Sequence, residues 1–183
     1  MTIIEMLIVV VVSALLLTLA VPAMTNLIAM QRLKSANAEL VTGMQYARTE
    51  AVAHQPVGTR IKFQSNAQLS CYVVYIGSLF SNCNCTNSPG PSCPPAVNTF
   101  ELNTTQVAKN TDIEFVAPKP DFVFGSDGEL RTPGPISIDT KRVSGQPGTL
   151  RTIICAMGRP RVCSPDQSVP GFPACPVNAC VTP

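Results

Sequence analysis

Two arginines on one tight turn carry the most specific chemistry in this chain. In Cys155-Ala156-Met157-Gly158-Arg159-Pro160-Arg161-Val162-Cys163, Gly158 permits a sharp bend and Pro160 fixes its neighbour, so Arg159 and Arg161 are expected to project to one side. Guanidinium forks match phosphate oxygens. Lys141, Arg142, Arg151, Arg159 and Arg161 follow one another with no Asp or Glu from Lys141 to Cys163, although the whole chain carries a formal charge of only +2. That run predicts a local positive surface. The competing reading is a solvated turn that pairs with acids on a neighbouring molecule. His54 is the single histidine, expected at a solvated helix end. With no nucleophile motif, no Gly-rich phosphate cradle and no convincing carboxylate pair, an enzyme is the least expected class, and neither cofactor nor metal is expected.

The second reactive set is the cysteines: Cys71, Cys83, Cys85, Cys93, Cys155, Cys163, Cys175 and Cys180. An even number, clear of the apolar N-terminal segment, indicates an oxidising extracytoplasmic compartment and a disulfide framework. Cys155 with Cys163 is the expected pair because they flank the arginine turn. Cys175 and Cys180 are expected to close a small loop in the tail, residues 164–183. Cys83, Cys85 and Cys93, with Cys71, should hold a Pro/Ser/Asn-rich loop over 77–98. Cys83-Asn84-Cys85 is too short a spacing for an ordinary zinc site.

These groups must be positioned by a helix and a set of strands. Residues 1–30 are one membrane-length apolar segment, with no charge from Met6 to Gln31. Glu5 stands at its edge, where an unpaired carboxylate costs several kcal/mol, so it should find a cation or sit at the membrane interface. Over 31–55 the pattern turns one-sided: Leu33, Ala36, Leu40, Met44, Ala47 and Ala51 share a face, while Arg32, Lys34, Glu39, Gln45, Arg48 and Glu50 take the others. Pro56 and Gly58 mark the helix end. Residues 56–183 are the head, with short strands expected at 60–63, 71–76, 112–116, 122–124, 136–138 and 150–156. Asp127-Gly128 reads as a turn. The fold class is therefore α+β: a long N-terminal helix packed on a small antiparallel β head with disulfide-stapled loops.

Thr2-Ile3-Ile4-Glu5-Met6-Leu7-Ile8-Val9, with Pro22 downstream, resembles the start of mature type IV pilins and pseudopilins. Ala47-Arg48-Thr49-Glu50-Ala51 and Phe122-Val123-Phe124-Gly125-Ser126-Asp127-Gly128 narrow the resemblance to FimT-, FimU- and GspH-type pilins. The resemblance implies processing and methylation at Met1, which replaces the usual phenylalanine and is either the processed N-terminus or a start codon. It implies that Glu5 pairs with a neighbour's N-terminal ammonium and that Pro22 bends the helix. It further implies insertion in the inner membrane, handling by a prepilin peptidase and the pilus assembly machinery, and assembly into a homo- or hetero-oligomeric filament at the cell surface. Gly158-Arg159-Pro160-Arg161 resembles the Gly-Arg-x-Arg motif of FimT-type minor pilins that bind DNA during uptake. A pilus subunit, a DNA-capturing minor pilin and a GspH-type pseudopilin of type II secretion all remain open on these residues.

Overall fold

A computed structural model of the chain describes residues 2–54, 57–77, 83–87, 92–94, 99–177 and 180, without the side chains of 19–23. Helix α1 is a single run of 51 residues, Ile3–Ala53, about 76 Å long at about 1.5 Å per residue. The Glu5 carboxylate accepts from Thr2 N at 3.3 Å and so caps its own helix. At the far end His54 N donates to Glu50 O at 2.9 Å, and its ring Nδ1 lies 3.2 Å from the Glu50 carboxylate. Met1, Pro56 and the side chain of Pro22 lie outside the described residues.

The two ends of α1 live in different surroundings. Ile3, Leu7, Leu16 and Leu27 are exposed, whereas Leu33, Leu40, Met44, Ala47 and Ala51 are fully buried. Among the described residues no helix is long and apolar enough to cross a membrane.

Among the described residues the head holds eight strands: β1 (Thr59–Ser65), β2 (Leu69–Ile76), β3 (Phe100–Ala108), β4 (Glu114–Val116), β5 (Asp121–Phe124), β6 (Ile136–Lys141), β7 (Thr149–Ile154) and β8 (Pro160–Cys163). They form two antiparallel four-stranded sheets, β3-β2-β1-β5 and β4-β6-β7-β8. Buried positions alternate along β1, β5 and β6 as a half-buried strand requires, while β2 is buried on both faces. Ile61, Phe63, Tyr72, Val74, Phe122 and Phe124 from the first sheet meet Phe115, Ile136, Ile138 and Ile154 from the second around the buried stripe of α1. Strands β3 and β8 lay outside the expected set. Asp112, expected to open a strand, adopts a left-handed conformation, φ 66°, so β4 starts two residues later.

One polar node ties the helix to the second sheet. Asn37 is buried, and its Oδ1 accepts from Thr140 Oγ1 at 3.1 Å and Thr152 Oγ1 at 3.0 Å. On the outer face of the first sheet, Cys71, Val73 and Tyr75 pack with Cys83, Cys85 and Cys93 in a second small core. Disulfides Cys71–Cys85 and Cys83–Cys93 hold the described part of the 77–98 loop there. Lys62 Nζ adds a bond to Cys83 O at 3.0 Å, and Cys85 N donates to Gln64 Oε1 at 2.8 Å.

The expected Cys155–Cys163 bridge and Cys175–Cys180 loop are not formed: the pairs are Cys155–Cys180 and Cys163–Cys175. The register explains this. In the β7–β8 hairpin Cys163 lies opposite Arg151, and Ile154 lies opposite Pro160. Cys163 is thus displaced from Cys155 by four strand positions, about 13 Å at about 3.3 Å each, beyond the about 7 Å that a disulfide spans.

Candidate functional site

The arginine turn is built on a three-way contact with α1. Arg48 extends from the helix and donates through Nε to Gly128 O at 2.9 Å. Gly128, φ 73°, closes the turn after β5, its N donating to Gly125 O at 2.8 Å. Gly158, φ 71°, closes the β7–β8 turn, with Gly158 N bonded to Cys155 O at 2.8 Å. A Cβ on Gly158 would collide with Gly128 O and press on the Arg48 side chain. Leu130 N to Ala156 O at 2.8 Å joins the two turns directly. Three short stretches far apart in sequence, around Arg48, Gly128 and Gly158, therefore meet in space. Arg48 was assigned to an outer helix face by periodicity alone; its half-buried place between two turns was not legible from the helix pattern. Its position between Ala47 and Ala51, both buried, is the signal that could have found it.

Gly158 is buried in this contact and sits under the turn, while Arg159 and Arg161 are exposed on either side of Pro160. Among the described residues neither arginine makes an ion pair. The rest of the expected positive surface is neutralised. Arg151 binds Asp139 through both Nε, 2.7 Å, and Nη2, 2.8 Å, and this bidentate contact raises its pKa further. Lys141 pairs with Glu114 at 3.2 Å, as does Lys109. Arg142 Nε meets Asp112 at 2.7 Å.

The acids come from strand neighbours rather than from the basic run itself. Asp139 lies directly opposite Arg151, and Glu114 opposite Lys141. Antiparallel pairing thus supplies the carboxylates that the linear run lacks. Burial pushes Asp112 and Glu114 up, but the hydrogen bonds and charges of Arg142 and Ser144, and of Lys141 and Lys109, leave both below the ordinary carboxylate range. The cations left open are Arg159 and Arg161 on this turn. Among the described residues no cluster of His, Cys, Asp or Glu is arranged to hold a metal.

The type II transport protein GspH family matches residues 36–158, from the buried stripe of α1 through both sheets to the arginine turn. The chain belongs to the GspH family. Curated proteins and solved structures provide no match. GspH-family membership makes the chain a pilin- or pseudopilin-like structural subunit of the α+β pilin fold, in a family of non-enzymatic subunits that assemble into pilus-like filaments. The matched region contains Arg48, Gly128 and Gly158. It stops before Arg159, so Arg161, strand β8 and the doubly bridged tail are features of this chain outside the matched part.

Proposed function

We propose that this GspH-family chain is a subunit of an extracellular type IV pilus-like filament, held in the inner membrane by α1 before assembly. The supporting observation is the exposed N-terminal half of α1. Ile3, Leu7, Val10, Leu16 and Leu27 have no cover from the head, and water does not tolerate so continuous an apolar rod. Met6 to Gln31 contains no charged residue, and as a helix it reaches about 39 Å, enough for a hydrocarbon core of about 30 Å. A bilayer covers the rod first and sister helices cover it in the fibre. Glu5 is the one acid on this rod; it draws a cation from a neighbouring subunit, with Pro22 the bend that lets helices pack. Prepilin peptidase and the assembly machinery are the partners of this route. The test is a mass-spectrometric census of sheared surface fibres with wild type and Glu5→Ala. Wild type should be found in the fibres and the variant should stay in the membrane. Absence of the wild-type chain from every fibre, under conditions where it is made, refutes the proposal. Recovery only from a secretion pseudopilus moves it to the GspH-type role in type II secretion.

The exposed, unpaired Arg159 and Arg161 favour a second reading on the same architecture: a minor pilin that binds DNA through phosphates. Gly158 shapes the turn, and Lys141, Arg142 and Arg151, committed to acids, contribute little. Binding should then fall steeply with salt and vanish in Arg159→Ala with Arg161→Ala; unchanged retention of DNA at low salt excludes this role.

A further inference from the structure

Where α1 passes from exposed to head-packed, a cleft of about 250 Å³ opens between the helix and the short turn at 109–111. Ile28 and Ala29 form its apolar wall, and Arg32, Asn110, Thr111 and Asp112 its polar side. The level is significant. Large side chains are exposed through Leu27 and Ile28, and Leu33 is fully buried five residues on. In the membrane reading proposed above, on which this inference rests, the hydrocarbon boundary crosses α1 at the cleft, and Arg32 is the first base beyond the uncharged span.

The charges in the cleft are unbalanced in one direction. Asp112 is already satisfied: Arg142 Nε donates to it at 2.7 Å, Ser144 N at 2.6 Å and Ser144 Oγ at 2.9 Å. Arg32 has no ion pair, and neither Arg32 nor Asn110 has a side-chain hydrogen bond, among the described residues. A free guanidinium and a free carboxamide beside an apolar wall, at the height of lipid headgroups, are matched by a phosphodiester oxygen with an acyl chain running down past Ile28. An arginine just past the end of an uncharged apolar span also directs its charge to that interface. We infer that the Arg32–Asn110 cleft binds the phosphate headgroup of one phospholipid while the subunit is in the membrane. The bound lipid fixes how deep α1 sits and which side of the head faces the bilayer, and it leaves when the subunit is drawn into a fibre.

The full chain is reconstituted in nanodiscs of phosphatidylethanolamine and phosphatidylglycerol, released into mild detergent, and examined by native mass spectrometry for retained phospholipid. One phospholipid should stay with wild type and with Arg161→Gln. In Arg32→Gln with Asn110→Ala its retention should fall about tenfold, as the loss of a charge-assisted contact predicts. A diacylglycerol glycolipid without phosphate should not be retained, and excess inorganic phosphate should leave the bound lipid in place. Equal retention by the double variant, retention of the glycolipid, or displacement by phosphate alone each overturns the inference while leaving the membrane reading standing. Failure of the chain to enter the bilayer at all overturns both.

Discussion

Replacing Gly158 by alanine separates the two tasks that the arginine turn combines. Gly158 has φ 71°, and its missing Cβ makes room for Gly128 O and Arg48. Holding an alanine in the left-handed region costs about 1–2 kcal/mol, and forcing a carbon into a filled contact costs about 1–3 kcal/mol more. The expected loss is therefore about 2–5 kcal/mol, a large part of the about 5–15 kcal/mol that holds a domain folded. Gly158→Asn distinguishes the two terms, because asparagine tolerates left-handed backbone but still carries a Cβ. If the collision with Gly128 dominates, the asparagine variant is nearly as damaged as the alanine one. The assay is urea denaturation of the full chain in detergent under non-reducing conditions, alongside Arg159→Ala with Arg161→Ala. The double arginine variant should match wild type within about 0.5 kcal/mol, since exposed residues away from special features seldom matter more. Wild-type stability in Gly158→Ala would refute the idea that this glycine serves packing against α1.

Two further outcomes follow from the buried polar groups. Asn37→Ala leaves the Thr140 and Thr152 hydroxyls without their shared acceptor and should cost about 2–4 kcal/mol by the same denaturation; a loss under about 1 kcal/mol would show that the node is dispensable. For pH, Asp112 and Glu114 are held below the ordinary range, so the unfolded chain binds their protons first, and the stability they give is present above about pH 4 and lost as pH falls through their folded values. Asp121 has the opposite sign: burial raises it against the pull of Arg60 and Lys62, and its buried Oδ1 has no hydrogen-bond partner among the described residues. Its contribution is full below the unfolded value and is lost as pH rises, so Asp121→Asn should stabilise the head at neutral pH, with the gain shrinking in acid. Denaturation midpoints across pH for both chains check this, and a neutral-pH loss in the variant would contradict it.

The parts of the fold read correctly from sequence are those where period or punctuation is local. The stripe from Leu33 to Ala51 repeats at helical spacing and is the buried face of α1. β-branched runs such as Ile136-Ser137-Ile138 alternate as strands do. Strand β3 escaped because Glu101, Asn103, Thr104, Thr105 and Gln106 give an edge strand with little buried surface, so its hydrophobic signal is weak. The cysteine pairing failed for a different reason: proximity across a turn was inferred from sequence distance, whereas the strand register decides it. The positive surface is smaller than the linear run suggests for a related reason. A run without acids looks basic along the chain, but Asp139 and Glu114 arrive from neighbouring strands and Asp112 from the turn before β4. Arg159 lies at the turn and Arg161 in β8 opposite Ile153, so among the described residues no carboxylate is brought opposite either.

The tail shows what keeps those two arginines in place. β8 is only four residues long and lies at the edge of its sheet, so pairing with β7 alone would fray readily. Cys155, just past the end of β7, and Cys163, the end of β8, are each bridged to the tail, at Cys180 and Cys175. Between the two strands and these bridges the tail also docks on the helix. Val169 is buried against Leu33 and Leu150 and Lys34 Nζ donates to Pro170 O at 2.8 Å, while Ser164 N to Pro173 O at 2.8 Å ties the tail to itself. Both ends of the hairpin are thus anchored through the tail to α1, while the Arg48 side chain, bonded to Gly128 O, packs against Gly158 in its turn. A bridge from Cys155 to Cys163 would have tied the hairpin only to itself. The observed pairing makes the arginine turn an extension of the helix that also forms the core of the proposed filament, so the orientation of Arg159 and Arg161 on the head is set by the same element that sets the position of the subunit.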